Sequence, residues 1–143
     1  MRDQRMNKRA LGERAERQAL EMLESAGYAI VERNWVCRLD AVDSPPGSRD
    51  GVIVGELDLV AWHGGQGATL CFIEVRSRAD DEHGHAAEMV TRTKQRQVSR
   101  MAGEYLHARG ETLRAAAYRF DVVAITGAQI DLIQDAWRLG ISV

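Results

Sequence analysis

The sequence lacks a long apolar segment and has only two cysteines. No apolar run approaches the roughly 20 residues that a helix needs to cross a bilayer, so we predict no membrane partner. The basic N-terminus, residues 1–9, leads into no apolar signal-peptide core, which argues against secretion. Cys37 and Cys71 lack the spacing of metal-binding cysteines. We therefore expect two reduced thiols in a cytoplasmic protein.

Several motifs of well-understood chemistry are also missing. The chain has no phosphate-binding glycine motif before a helix, no Gly-x-Ser-x-Gly turn and no Cys/His pattern for zinc. These absences argue against a nucleotide cofactor, a serine hydrolase of that type and a zinc module. The net charge of −2 also gives no overall basic field that would favour nucleic acid.

The composition predicts one folded α/β domain over residues 1–143. Hydrophobic residues make up 45% of the chain and charged residues 28%, which is enough apolar material for a core. We predict a mixed β-sheet flanked by helices in the order α-β-β-β-α-β. The predicted elements are a helix over 11–26, strands over 28–37, 56–62 and 70–76, a helix over 90–108 and a strand over 119–125. Residues 129–139 are predicted as a short strand followed by a turn or helix.

One segment interrupts this pattern. Residues 38–54 contain two adjacent prolines, Pro45 and Pro46, flanked by serine and glycine. Such a composition is typical of a loop, and we predict a flexible insertion at 38–54. The polar stretch 80–88 is likewise predicted as a loop.

Acidic residues lie at one end of two strands that a glycine-rich turn joins. The first strand contains Asp58 and the second contains Glu74. A turn centred near Gln66 puts Asp58 directly across from Glu74 in an antiparallel hairpin, and strand alternation puts both on one face. On a helical wheel of residues 11–26, Glu16 falls beside the apolar stripe and points toward the sheet. We therefore expect the three carboxylates to approach one another.

Two interpretations of these acids remain open on spacing alone. Converging carboxylates repel one another unless a proton, a base or a cation neutralises them. Oxygen ligands suit Mg²⁺ or Mn²⁺, which would activate water and polarise a phosphate. The alternative is a structural cluster of ion pairs among Glu16, Glu56, Arg76 and Arg78.

The two strand motifs resemble those of a known family. They read Gly55-Glu56-Leu57-Asp58-Leu59-Val60 and Phe72-Ile73-Glu74-Val75-Arg76-Ser77-Arg78. Further matching positions follow in the same order along the chain: Gly12, Glu16, Glu32-Arg33-Asn34, Lys94, Tyr105-Leu106 and residues 119–123. The chain resembles the YraN-like family of bacterial predicted endonucleases, which have the restriction-endonuclease-like PD-(D/E)xK fold and are similar to archaeal Holliday-junction resolvases.

The resemblance implies a role for each matching residue. Asp58 and Glu74 would be metal ligands, and Glu16 would complete or support the metal site. Arg76 occupies the position of the catalytic lysine of the wider fold. Because arginine stays protonated, it cannot act as a general base, although it can stabilise charge on a phosphate. Lys94, on the sheet-facing side of its helix, is a candidate for the missing amine.

The predicted function is metal-dependent hydrolysis of DNA phosphodiester bonds, and the resolvase resemblance implies branched or structured DNA. Arg92, Arg96 and Arg100 recur every four residues and could contact the DNA backbone, although a solvated helix face explains them equally well. A homodimer would suit paired cuts, which need two sites. The alternatives are a non-catalytic nucleic-acid-binding or adaptor protein with the same fold, and a structural domain whose acids only form ion pairs.

Overall fold

The computed structural model describes residues 2–39, 51–80, 84–109 and 113–138. It contains a five-stranded sheet in the order β1-β2-β3-β4-β5, with two α-helices. The elements are α1 (Arg2–Ser25), β1 (Tyr28–Leu39), β2 (Val52–His63), β3 (Thr69–Arg78), a 3₁₀ turn (Ala86–Met89), α2 (Arg92–Arg109), β4 (Ala117–Thr126) and β5 (Gln129–Trp137). Strands β3 and β4 pair in parallel, and the other neighbouring pairs are antiparallel. The predicted α/β fold with a mixed sheet is confirmed.

The two helices contribute to hydrophobic clusters on opposite faces of the sheet. The apolar side of α1 buries Ala15, Ala19 and Leu23 in one cluster, with residues such as Ile73 of β3. The other cluster is formed around α2 by Val60, Trp62, Leu70, Phe72, Val98, Met101, Ala102, Tyr105, Phe120 and Trp137. Burying both faces in this way requires strands that are apolar on both sides, and β3 and β4 satisfy that requirement.

Several element boundaries differ from the predictions. Helix α1 begins at Arg2, nine residues before the predicted start at residue 11, because residues 2–11 are mostly good helix formers even without an apolar stripe. The 3₁₀ turn Ala86–Met89 begins within the predicted loop 80–88 and ends one residue beyond it. Strand β5 continues to Trp137, so no helix follows it among the described residues.

The predicted insertion 38–54 is also corrected at both ends. Strand β1 continues to Leu39 and β2 starts at Val52, and these two residues pair with each other. Backbone pairing therefore extends β1 and β2 into the predicted loop, although the side chains of Leu39 and Val52 are exposed. Residues 40–50 of the predicted insertion lie outside the described residues.

The predicted register of the β2–β3 hairpin is confirmed, but the regular alternation of side chains along β2 is interrupted. The ladder runs from His63↔Thr69 to Leu59↔Ile73, as a turn centred near Gln66 requires. Leu57 and Leu59 should share a face, yet Leu57 packs in the α2 cluster and Leu59 in the α1 cluster. The β2 strand therefore rotates about its axis at Asp58. Opposite this point, Asn34 of β1 has a φ of 50°, which breaks the regular pleat of the sheet.

Candidate active site

Asp58 lies just beyond the end of the β2–β3 ladder and is tied to β3 by its side chain. Its Oδ2 atom accepts a hydrogen bond of 2.9 Å from the backbone N–H of Val75. The preceding residue of β3, Glu74, is 2% exposed. The rotation of β2 thus leaves the Asp58 carboxylate beside the strand that carries Glu74, where the ladder pairing has ended.

Two basic side chains contact the buried Glu74 carboxylate. Arg76 Nη2 lies 3.0 Å from Glu74 Oε2, two residues along the same strand. Lys94 Nζ reaches the same oxygen from α2, at 3.9 Å. The Nε atom of Arg76 is buried and has no hydrogen-bond partner in the part of the chain that the structure describes. The cluster therefore combines two carboxylates with two cations from three elements.

The two acids destabilise each other's ionised form. The pKa of Glu74 is raised to about 7, because burial and the nearby Asp58 charge raise it by more than Lys94 and Arg76 lower it. Burial also raises the pKa of Asp58, against the Val75 N–H bond and the charges of Arg76 and Lys94. The two protein cations therefore only partly compensate for burial and repulsion, and an added cation would favour ionisation of both carboxyl groups.

Glu16 lines a cavity of about 170 Å³ together with Asp58. The cavity lies under α1 and is lined by Gly12, Ala15, Glu16, Asn34, Asp58, Leu59, Val75 and Ser77. Glu16 Oε1 accepts hydrogen bonds of 3.1 Å from Arg33 Nη2 and from Asn34 Nδ2. The ion pairs of this region thus join Glu16 to Arg33 and Glu74 to Arg76, which differs from the pairing suggested by the salt-bridge alternative.

The donor set can be compared with what a metal ion needs. Among the described residues, no three or more His, Cys, Asp or Glu side chains lie close enough together to hold a metal. Glu16 therefore shares a cavity with Asp58 without forming a three-carboxylate cluster. Mg²⁺ commonly uses one or two protein carboxylates and completes its shell with water and phosphate oxygens. The adjacent Asp58 and Glu74 fit that requirement for Mg²⁺ or Mn²⁺.

Two contributors to this region were not predicted as site residues. Asn34 holds Glu16 and adopts the left-handed backbone conformation opposite Asp58. The backbone N–H of Val75 holds Asp58. An asparagine inside a predicted strand was the available signal for Asn34, because asparagine tolerates positive φ better than most residues. No residue identity could have indicated the N–H group of Val75.

The remaining predicted residues lie elsewhere on the molecule. Arg92, Arg96 and Arg100 are exposed on α2. Within the stretch 80–88 that was predicted as a loop, His85 Nε2 lies 3.0 Å from Asp131 Oδ2, and His83 lies outside the described residues. Cys37 and Cys71 are both buried free thiols. None of the helices in the described ranges is long and apolar enough to cross a membrane.

A second buried polar cluster lies on the α1 side of the sheet, away from the acid pair. Asp121 is fully buried and accepts hydrogen bonds of 2.8 Å from both Nε and Nη2 of Arg119. It also accepts bonds from Tyr28 Oη at 2.7 Å and from the backbone N–H of Asp135 at 2.9 Å. Burial would raise the pKa of Asp121, but the hydrogen bonds from Arg119 and Tyr28 outweigh it and lower the pKa. Asp121 is thus held by Arg119, Tyr28 and the Asp135 backbone inside the sheet.

Comparison with known proteins identifies the family. Residues 15–125 match the family described as "Uncharacterised protein family UPF0102". A UPF0102 protein from Caldicellulosiruptor saccharolyticus is 38% identical over 120 residues, covering 84% of this chain and 85% of that protein. Another from Serratia proteamaculans is 36% identical over 133 residues, covering 93% and 98%. A third, from Myxococcus xanthus, is 34% identical and covers 93% of both chains. The chain is a member of the UPF0102 family, the YraN-like proteins.

Proposed function

We propose that the protein is a metal-dependent nuclease that hydrolyses phosphodiester bonds in DNA, with Asp58 and Glu74 as ligands of Mg²⁺ or Mn²⁺. The observation that carries the proposal is the buried Glu74 carboxylate beside Asp58, with Lys94 at 3.9 Å. A fully formed ion-pair cluster would lower the pKa of its acids, whereas the pKa of both acids is raised. This deficit of positive charge favours a cation site over purely structural ion pairs.

Each residue of the site would have a separate role in the reaction. A bound divalent ion supplies Lewis-acid polarisation of the phosphate and promotes the ionisation of water. The Val75 N–H group holds Asp58 in place, and Arg76 holds Glu74. The guanidinium of Arg76 and the ammonium of Lys94 are then available to stabilise negative charge that develops on the phosphate. Glu16, fixed by Arg33 and Asn34, borders the cavity next to Asp58.

The choice of DNA as substrate is based on the basic side of α2 and on the resemblance to resolvases. Arg92, Arg96 and Arg100 give α2 an exposed basic side that suits a phosphate backbone, despite the net charge of −2. Preference for branched or structured DNA, and a homodimer that makes paired cuts, rest only on the resemblance to resolvases. Similarity of fold is a limited guide to substrate.

One observation favours a second candidate, a nucleic-acid-binding protein that retains the fold without cutting. Arg76 stands where the wider fold has lysine, and it pairs with Glu74 at 3.0 Å. A permanently protonated arginine in that ion pair competes with a divalent ion for the carboxylate and cannot accept a proton. In this alternative, nucleic acid binds without metal and remains intact.

A cleavage assay tests the proposal. The protein would be incubated with labelled duplex, single-stranded and four-way-junction DNA in Mg²⁺, Mn²⁺ or EDTA. Asp58→Asn and Glu74→Gln serve as test variants, and the exposed Glu24→Gln serves as the matched control. We expect cutting that needs the metal, falls at least 100-fold in both test variants and is unchanged in the control.

Other outcomes would overturn the proposal in different ways. Binding without cutting under every metal would support the non-catalytic alternative. Cutting that persists in both test variants would show that the activity arises from another site. The absence of both binding and cutting would contradict both candidate functions. Equal rates on duplex and junction would remove the proposed preference for branched DNA and leave the nuclease proposal standing.

A further inference from the structure

A second and larger cavity lies beside the acid-lined one. It has a volume of about 410 Å³, and its polar lining consists of Arg14, Gln18, Ser77 and Arg78. The rest of its wall is small or apolar and is formed by Ala15, Ala79, Ile125, Gly127 and Ala128. No carboxylate is among its lining residues within the described part of the chain. We call this space the arginine cavity.

The arginine cavity and the acid-lined cavity share two wall residues, Ala15 and Ser77. Ala15 packs against the sheet, with Arg14 and Glu16 on either side of it in sequence. Successive helical residues point about 100° apart, so Arg14 and Glu16 project to opposite sides of α1. The helix thus presents an acid to one cavity and an arginine to the next.

Strand β3 continues the same arrangement. Val75 lines the acid-lined cavity, Ser77 lines both cavities, and Arg78 and Ala79 line the arginine cavity. At about 3.3 Å per residue, Val75 and Ala79 are separated by roughly 13 Å along the strand. The turn after β4 is fixed against the C-terminal end of β3, because the N–H group of Gly127 donates a hydrogen bond of 2.8 Å to the Arg78 carbonyl. The two cavities are therefore neighbours on one fixed framework.

We propose that the arginine cavity binds a sugar–phosphate unit of the DNA backbone next to the phosphate at the acid pair. The lining residues Arg14, Gln18, Ser77 and Arg78 carry guanidinium, amide and hydroxyl donors of the kind that bind phosphate oxygens, and arginine can bind phosphate through two parallel bonds. The apolar wall formed by Ile125 and Ala128 suits the deoxyribose. The assignment of which phosphate is bound rests on the proposed function, whereas anion binding by the cavity does not.

Electrostatics gives a reason for such a site. The chain has a net charge of −2, so binding of a phosphodiester backbone needs local positive charge beyond that of Arg76 and Lys94 at the acid pair. Charges interact over a screening length of about 8–10 Å at physiological salt. Arg14 and Arg78, which line the neighbouring cavity, would supply positive charge to the adjoining stretch of backbone. The exposed arginines of α2 lie on the other side of the sheet from α1 and cannot serve this position.

The test measures DNA binding in EDTA, where metal-dependent cleavage cannot occur. Fluorescence anisotropy with a labelled 20-nucleotide single strand and the matching duplex would be recorded over a range of NaCl concentrations. The variants are Arg14→Gln and Arg78→Gln, and Arg17→Gln is the matched control, since Arg17 is exposed on α1 outside the cavity. We expect about five- to tenfold weaker binding for each variant, with the slope of log K against log salt reduced by about one. The control should change less than twofold.

The outcomes separate this inference from the nuclease proposal. If Arg14→Gln and Arg17→Gln behave alike, the arginine cavity is not a phosphate site, even if the protein cuts DNA. If Arg14→Gln weakens binding as expected and no DNA is cut under any metal, the cavity assignment stands and the nuclease proposal fails. Because Arg14 is exposed, its variant should keep the melting temperature of the parent protein. If Arg78→Gln weakens binding only because it unfolds, the result for Arg14→Gln decides whether the arginine cavity binds phosphate.

Discussion

Lys94 Nζ lies 3.9 Å from Glu74 Oε2, so helix α2 brings an amine to the same carboxylate oxygen that Arg76 contacts. The resemblance to PD-(D/E)xK nucleases implies a lysine at the position of Arg76, and in this chain the lysine that reaches Glu74 comes from a different element, α2. The positive charge of Lys94 therefore lies beside the acid pair, while Arg76 keeps its position on β3. The division of tasks between Arg76 and Lys94 can be measured.

Replacing Lys94 should affect catalysis more than binding. We expect Lys94→Ala to lower the cleavage rate about 100-fold, because a charge that stabilises the transition state is lost. The affinity for DNA in EDTA should fall less than threefold. Arg96→Ala, which removes an exposed charge from the same helix, should show the reverse pattern. Equal losses of rate and affinity in Lys94→Ala would mean that Lys94 only contacts phosphate.

Glu74 should make the folded protein less stable as the pH rises. The pKa of Glu74 is raised from 4.5 to about 7 on folding, so the folded state holds the proton more tightly than the unfolded state. Stability is therefore greatest below pH 4.5 for this group and falls through the interval up to pH 7, by about 2–3 kcal/mol. Urea unfolding at pH 5 and pH 8 in EDTA would measure the difference.

The variant Glu74→Gln provides the comparison for that pH dependence. Glutamine resembles the protonated acid, so the variant should lose most of the decline between pH 5 and pH 8. Glu24→Gln, at an exposed position on α1, should retain it. A wild-type protein whose stability rises over this interval would contradict the assigned direction of the Glu74 shift.

Asp121 should be a major determinant of stability. Asp121→Asn removes the charge that pairs with Arg119 inside the sheet layer, and we expect a loss of about 3 kcal/mol in the free energy of unfolding. Because the pKa of Asp121 is lowered, its contribution is present above the unfolded value near 3.9 and is lost as the pH falls below it. Asp135→Asn, which affects an exposed ion pair with Arg138, should change stability by less than about 1 kcal/mol. Similar losses in both variants would contradict this assignment.

Gly55 should be required for the close packing of β2 against α2. A Cβ atom at position 55 would overlap the Sδ atom of Met101 and would lie 3.0 Å from the Cγ atom of Met101. We expect Gly55→Ala to cost about 1–3 kcal/mol of stability, reduced if the Met101 side chain can move aside. Gly12→Ala is the matched control: nothing lies within 4 Å of its added Cβ, and alanine favours a helix by about 1 kcal/mol. Thermal unfolding of both variants would decide; a stabilised Gly55→Ala would contradict the packing argument.

Local patterns were enough to predict some of the site. The alternation of Val60, Trp62, Leu70 and Phe72 and a glycine-rich turn predicted the hairpin register correctly. Helical spacing predicted an apolar stripe on the first helix, which the structure buries at Ala15, Ala19 and Leu23, and it predicted that Lys94 faces the sheet, where it reaches Glu74. These features depend on strand and helix periods, which a sequence displays directly.

Other parts of the site could not be read from those periods. Strand alternation assigned Leu57 and Leu59 to one face, and the rotation of β2 at Asp58 separates them. Helical spacing directed Glu16 toward the acid pair, whereas Arg33 and Asn34 of β1 hold it at the cavity wall. Each of these outcomes depends on a neighbour that is distant in sequence.

The sequence by itself determined the apolar side of each helix, the hairpin and the identity of the acids and bases available for chemistry. Only the tertiary structure decided which of them meet: Glu74 with Lys94 and Arg76, Asp58 with the Val75 N–H, and Glu16 with Arg33 and Asn34. The physical reason is that periodicity fixes the side of an element on which a side chain lies. The distances between charges, and so the pKa values of Asp58 and Glu74, follow from how separate elements pack together.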